Sequence, residues 1–145
     1  MSRFYAIDEA NEALPEVERI LSDLRDQREE LIELRDRVVA ASPPDEEVAP
    51  PGVAEQVRLL RLGMQGLIDQ MQAGVARLIE MDVTLRDIST GLIDFPALVS
   101  GMPIWLCWRL GEDDVAHWHP HDEGYDTRRP LSELPMGRGS GTPAA

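Results

Sequence analysis

The sequence predicts a mainly α protein: a long antiparallel two-helix hairpin, then a small C-terminal β-hairpin module (an α+β tip), then a disordered tail. Three observations carry this reading. Apolar residues recur with alternating four- and three-residue spacing over two long stretches, as on one face of a helix. A proline-rich acidic run separates the two stretches. After residue 88 the pattern turns into short β-prone runs broken by glycine and proline.

The first helix is expected over about 8–41. Asp8 is placed to accept the orphan N–H groups of a first turn, and Glu9 and Glu12 suit the positive end of the helix dipole. Pro15 either begins the main helix or kinks one begun at Asp8. The seam runs through Ala13, Val17, Ile20, Leu24, Leu31, Leu34 and Val38, a coiled-coil-like spacing broken only by Gln27. Residues 42–52, with four prolines and three acids, form an exposed connector. The second helix is expected over about 53–88, its seam continuing through Met81, Leu85 and Ile88. Gly63, Gly66 and Gly74 each cost about 1 kcal/mol of helix stability. They point either to close approach of another backbone or to local flexibility.

A two-helix hairpin has one narrow seam and cannot bury the apolar flanks at Leu14, Leu21, Leu59, Ile68, Val75 and Ile79 by itself. Self-association follows as an expectation, most simply two hairpins forming a dimeric four-helix bundle.

The β-module is expected over 92–131. Leu92 to Val99 reads as an extended segment confined by Pro96 to an edge or a bend. Ile104 to Leu110 and Val115 to His119 read as two strands around a turn at Gly111–Asp114. An irregular strap, 124–131, closes a single domain of residues 1–134, and 135–145 has the composition of a disordered tail.

Composition excludes several classes of function. The 145 residues carry a net charge of −13 and no lysine, which removes the basic footprint of a nucleic-acid binder and any attraction to an anionic membrane. No stretch has the length and apolarity of a membrane span, and the first residues lack the apolar region of a signal peptide. One cysteine, Cys107, excludes an internal disulfide. A cytoplasmic protein is the expectation.

All three tryptophans, the one cysteine and all three histidines fall between Trp105 and His121. His117 and His119 are two apart on an expected strand and share a face, a recurring way to present imidazoles to zinc or another transition metal such as copper or iron. Asp94, Glu112, His121 or Asp122 would complete such a site. An even-length turn places Trp108 opposite His117 and Leu106 opposite His119, so that Cys107 faces away beside Trp118; an odd turn or a bulge reverses this. The competing reading is structural. Trp105, Trp108 and Trp118 plug the end of the bundle, a neighbouring histidine bonds a carboxylate or carbonyl, and Arg128 or Arg129 pairs with Asp94 or Glu112. A nucleophilic Cys107 with His119 as base needs both on one face. Neither a nucleophile elbow nor a glycine-rich phosphate loop is present, and the leading expectation is a non-enzymatic assembly or interaction module without catalytic residues or cofactor, open to an unknown protein partner.

Four groups of residues together carry a resemblance: Phe4 through Leu14-Pro15 with Glu9-Ala10-Asn11; Gly91 to Pro96; Leu106-Cys107-Trp108 with Gly111-Glu112; and Trp118-His119 followed by Gly124-Tyr125 and Arg129-Pro130-Leu131. In these the chain resembles the small bacterial family known as domain of unknown function 2203, over nearly all its length except the tail. The resemblance implies a helical hairpin with a small C-terminal β-element and no established activity. Cys107, Trp108, Glu112, Trp118, His119 and Arg128 or Arg129 match the family pattern, whereas His117 and His121 stand outside it, and Thr127 replaces an expected glycine.

Overall fold

The structure, a computed structural model, describes residues 3–42 and 50–134. Helix α1 spans Ile7–Ala41 and α2 spans Val53–Glu80. Five antiparallel strands follow in sheet order β1-β2-β3-β4-β5: Thr84–Asp87, Leu92–Val99, Met102–Arg109, His117–Pro120 and Arg129–Pro130. The fold is therefore mixed α+β, with a five-stranded meander where the sequence suggested a hairpin tip. Most of the expected connector and all of the expected tail lie outside the described residues.

Helix α1 starts one residue before Asp8. Glu9 reaches back to accept the Ala6 N–H at 2.8 Å, while Asp8 sits inside the first turn. Pro15 lies within the helix, so its missing donor releases the carbonyl one turn earlier without ending the helix. Burial on α1 is confined to its first half: Ala10, Leu14, Val17, Ile20, Leu21 and Leu24. Beyond that, no α1 residue is buried, and α2 is the helix's main neighbour. The polar break in the seam, Gln27, donates across it to Gln70 at 3.2 Å. Arg77 of α2 holds Glu16 of α1 through two contacts, 2.7 and 3.1 Å, on the solvent side.

The second helix stops at Glu80, eight residues short of the expected 88. Asp82 adopts φ +59, a left-handed residue after the helix end, and Val83 N–H returns to the Leu78 carbonyl. Val83 and Thr84 are β-branched and the chain pairs with β2 from Thr84 onward. Met81, Leu85 and Ile88 still pack against the core. Their spacing kept the helical phase while their backbone had left the helix.

Alternate residues of the strands serve the core. Ile93, Phe95, Ala97, Ile104, Leu106, Trp108 and Trp118 face the first half of α1, all at most 3 % exposed. Ser100 and Gly101 both have positive φ, 52° and 78°. This is the geometry of a tight two-residue hairpin turn, which sets β2 against β3 from Val99↔Met102 to Leu92↔Arg109. Pro96 does not confine β2 to an edge. It sits beyond the reach of short β1, where the Tyr5 N–H takes up the Pro96 carbonyl at 2.7 Å. The Tyr5 ring meets Phe95 edge-on, and its hydroxyl donates to the Met81 carbonyl, so the N-terminal lead-in ties both helices to the sheet.

Two of the seam glycines mark close contacts. A Cβ at Gly74 would lie 3.2 Å from Leu24 Cδ2 and one at Gly63 would lie 3.3 Å from Leu34 Cδ1, whereas nothing lies within 4 Å at Gly66. Gly66→Ala is thus expected to raise unfolding stability by about 0.5–1 kcal/mol. Gly74→Ala should gain clearly less or lose, because Leu24 must move. Urea denaturation of the two variants checks this, and an equal gain in both contradicts the close contact.

Candidate functional site

The residues left over by this alternation gather on the sheet's outer face. Asp94, Cys107 and His117 form one cross-strand row, and Pro96, Trp105 and His119 form the next. The register is shifted by one residue from the even-turn expectation: Cys107, not Trp108, stands opposite His117, and Trp105 stands opposite His119. A long-range contact accompanies the shift. Asn11 Oδ1 of α1 accepts the Val115 N–H at 2.8 Å and Val115 is buried, so the loop dips into the core and the return strand begins only at His117. Cys107 therefore shares a face with both histidines. Trp105 also leaves the expected plug. It lies on the outer face and stacks on His121 with ring centroids 5.0 Å apart, while Trp108 and Trp118 face the helices.

Asp94, Cys107 and His119 come together as three buried side chains, each with one donor atom within 4.8 Å of the others. Asp94 is 2 % exposed, and one of its carboxylate oxygens, Oδ1, has no hydrogen-bond partner. The other, Oδ2, accepts from Arg86 Nε at 2.8 Å and lies 3.0 Å from His119 Nε2. His119 Nδ1 lies 3.0 Å from the Pro120 carbonyl. Arg128 Nη1 approaches Cys107 Sγ at 3.8 Å. Burial, reinforced by the Asp94 charge, pushes the Cys107 thiol up to about 11, the opposite of what an enzymatic nucleophile needs.

The other expected ligands stand apart from this cluster. Glu112 accepts the Arg109 N–H at 2.8 Å and is held by both Nη atoms of Arg128. Burial alone would raise its carboxyl, but these hydrogen bonds prevail and hold it below its ordinary value. His117 has a buried Nδ1 without a partner, outside the cluster. Arg129 lies over the Trp118 ring at 5.3 Å and near Glu123 at 3.5 Å. The segment 121–131 that follows β4, the strap included, thus closes over the outer face through His121 on Trp105 and Arg128 on Glu112. Beneath it lies a pocket of about 320 Å³ lined by Arg86, Asp94, His121, Asp122, Glu123 and Tyr125, among others.

Arg86 was invisible in the sequence because its stretch kept helical spacing. The β-branched pair Val83-Thr84 was the available signal that it belongs to a strand.

On the helical side, the expected α1 flank is not free. Leu14 and Leu21 are buried within the core that α1 shares with the sheet. The α2 flank stays open: Leu59 is 55 % and Ile79 66 % exposed, and Leu31, Ile68, Met71, Val75, Ile79 and Ile88 line a shallow groove of about 390 Å³. No helix among the described residues is long and apolar enough to cross a membrane.

The fold and its outer-face cluster define a two-helix hairpin rooted on a five-stranded antiparallel meander. The family described as Uncharacterized conserved protein (DUF2203) matches residues 3–131, and the chain belongs to it. No curated protein and no solved structure matches the chain.

The Glu112–Arg128 pair carries a signed pH dependence. Because the folded carboxyl is held below its ordinary value of 4.5, the stability it adds is fully present above that value. It is lost as pH falls through the lower, folded value. Glu112→Gln is therefore expected to be destabilised near neutral pH, by about 1–3 kcal/mol for a half-buried charged hydrogen bond. The gap to wild type should close in acid. Paired denaturation curves across pH check it, and a gap that widens in acid contradicts the assignment.

Proposed function

We propose that the protein works as a self-associating helical scaffold, with a second copy seated along the open flank of α2. The observation that supports this reading is the apolar groove at Ile68, Val75 and Ile79 with Leu31, which the chain's own sheet leaves uncovered. Exposed Ile79, with half-buried Ile68 and Val75 on the same side of α2, lowers solubility unless it meets another apolar surface. The groove runs along the helices, parallel to the seam, and so has the shape of a site for another helix pair. A second copy offers the same stripe at matched concentration. A two-fold arrangement of two such stripes buries both, giving four helices around one core. None of the α1 residues beyond Gln27 is buried, so a second copy on this flank extends the core past the part that the sheet covers.

Burying one isoleucine contributes about 1.5–3 kcal/mol. Ile79→Glu is thus expected to weaken the dimer at least about tenfold while leaving helicity unchanged. Size-exclusion chromatography with light scattering on both proteins checks this. A well-folded wild-type monomer throughout the micromolar range overturns the reading.

A further inference from the structure

We propose that Asp94, Cys107 and His119 form a transition-metal centre, suited above all to zinc, beneath the strap. The three residues come from three adjacent strands, β2, β3 and β4, and supply one oxygen, one sulfur and one nitrogen. Such a mixed set suits a borderline ion and excludes magnesium and calcium, which take oxygen ligands. Ligand distances of about 2.0–2.3 Å place neighbouring donors of a tetrahedral site about 3.3–3.8 Å apart. His119 Nε2 and Asp94 Oδ2 already stand 3.0 Å apart, and the whole set lies within 4.8 Å, so small side-chain rotations close it.

Two further observations point to a cation at this place. Asp94 Oδ1 is a buried carboxylate oxygen without a partner, an arrangement that proteins seldom tolerate unless something binds there. Both nitrogens of His119 face acceptors, the Pro120 carbonyl and the Asp94 carboxylate. A neutral imidazole carries one N–H and satisfies only one of them. With Nδ1–H given to the carbonyl, Nε2 presents a lone pair toward Asp94, and a metal ion between the two satisfies both.

Each donor is also held from behind, as ligands of built sites are. The Pro120 carbonyl fixes the His119 tautomer, Arg86 orients the Asp94 carboxylate, and Arg128 approaches the Cys107 sulfur. On binding, the thiol proton leaves to solvent and the sulfur binds as thiolate. One carboxylate and one thiolate then balance a divalent ion, so the buried sphere is neutral. The ion's path is the pocket above Asp94, whose rim carries Asp122 and Glu123. Three protein ligands leave a fourth position for water from that pocket. The set differs from a His-x-His site: His117 and Glu112 take no part.

Tag-free full-length protein, stripped with chelator, is titrated with zinc and with cobalt(II). One equivalent per chain is expected. The cobalt form should show a thiolate-to-cobalt charge-transfer band and the intense visible bands of a tetrahedral site. Cys107→Ser should lose the charge-transfer band and Asp94→Asn should lose stoichiometric binding, each with wild-type circular dichroism; His117→Ala should keep both band and stoichiometry. Should a ligand variant fail to fold, Arg86→Gln, outside the donor set, is expected to weaken zinc roughly tenfold. Wild-type protein that takes up no stoichiometric zinc or cobalt overturns the proposal. So does a cobalt spectrum unchanged by Cys107→Ser, or equal loss in His117→Ala.

Discussion

The alternation of side chains along β2, β3 and β4 governs the rest of the molecule. One set, Ile93, Phe95, Leu106, Trp108 and Trp118 among them, is committed to the core under α1. The complementary set must then face outward, and it holds Asp94, Cys107 and His119, all buried. A polar set of this kind needs a cover and partners, because a buried polar group left unpaired costs about 1–3 kcal/mol. The strap supplies the cover and Arg86, Arg128 and the Pro120 carbonyl supply the partners. The two faces of one small sheet thus separate the apolar core from the polar cluster.

The N-terminal half of α1 is the piece on which both faces depend. It is packed by α2 on one side and by the sheet on the other, and its Asn11 reaches out to Val115. That hydrogen bond, with the burial of Val115 and Trp118, accompanies the point where the loop after β3 turns back and the outward facing of His117 and His119. Helix and site are coupled through a polar side chain in the midst of an apolar stripe.

Much of the architecture is legible in the sequence. The two seams and the break between them follow from spacing and proline content, and α1 lies within a residue of its expected start. The end of α2 was hidden because Leu85 and Ile88 preserve a helical phase by coincidence, while the determining residue, Asp82 at positive φ, looks ordinary in a list of letters. The strand register was hidden for a deeper reason. It accompanies a contact between residues 104 apart, and no local rule about turn length contains that information. The same gap turned the flank at Leu14 and Leu21 into an apparent need for a second copy, when the chain's own sheet covers it. His119 and Asp94 were within reach as candidate ligands from residue type alone; their union with Cys107 was not.

The hydrogen bond between Gln27 and Gln70 divides the hairpin into unequal halves. On the root side, α1 is buried in a closed core that it shares with α2 and the sheet; on the far side none of its residues is buried. Local unfolding free energy tracks buried apolar contact, so it declines from root to tip, and the arms open in stages well before the sheet does. Sliding one helix along the other would also break the glutamine pair's hydrogen bond and move Gly74 away from Leu24. The hairpin is in this sense a ruler with a zero mark: free to fray at its end, and fixed in its alignment.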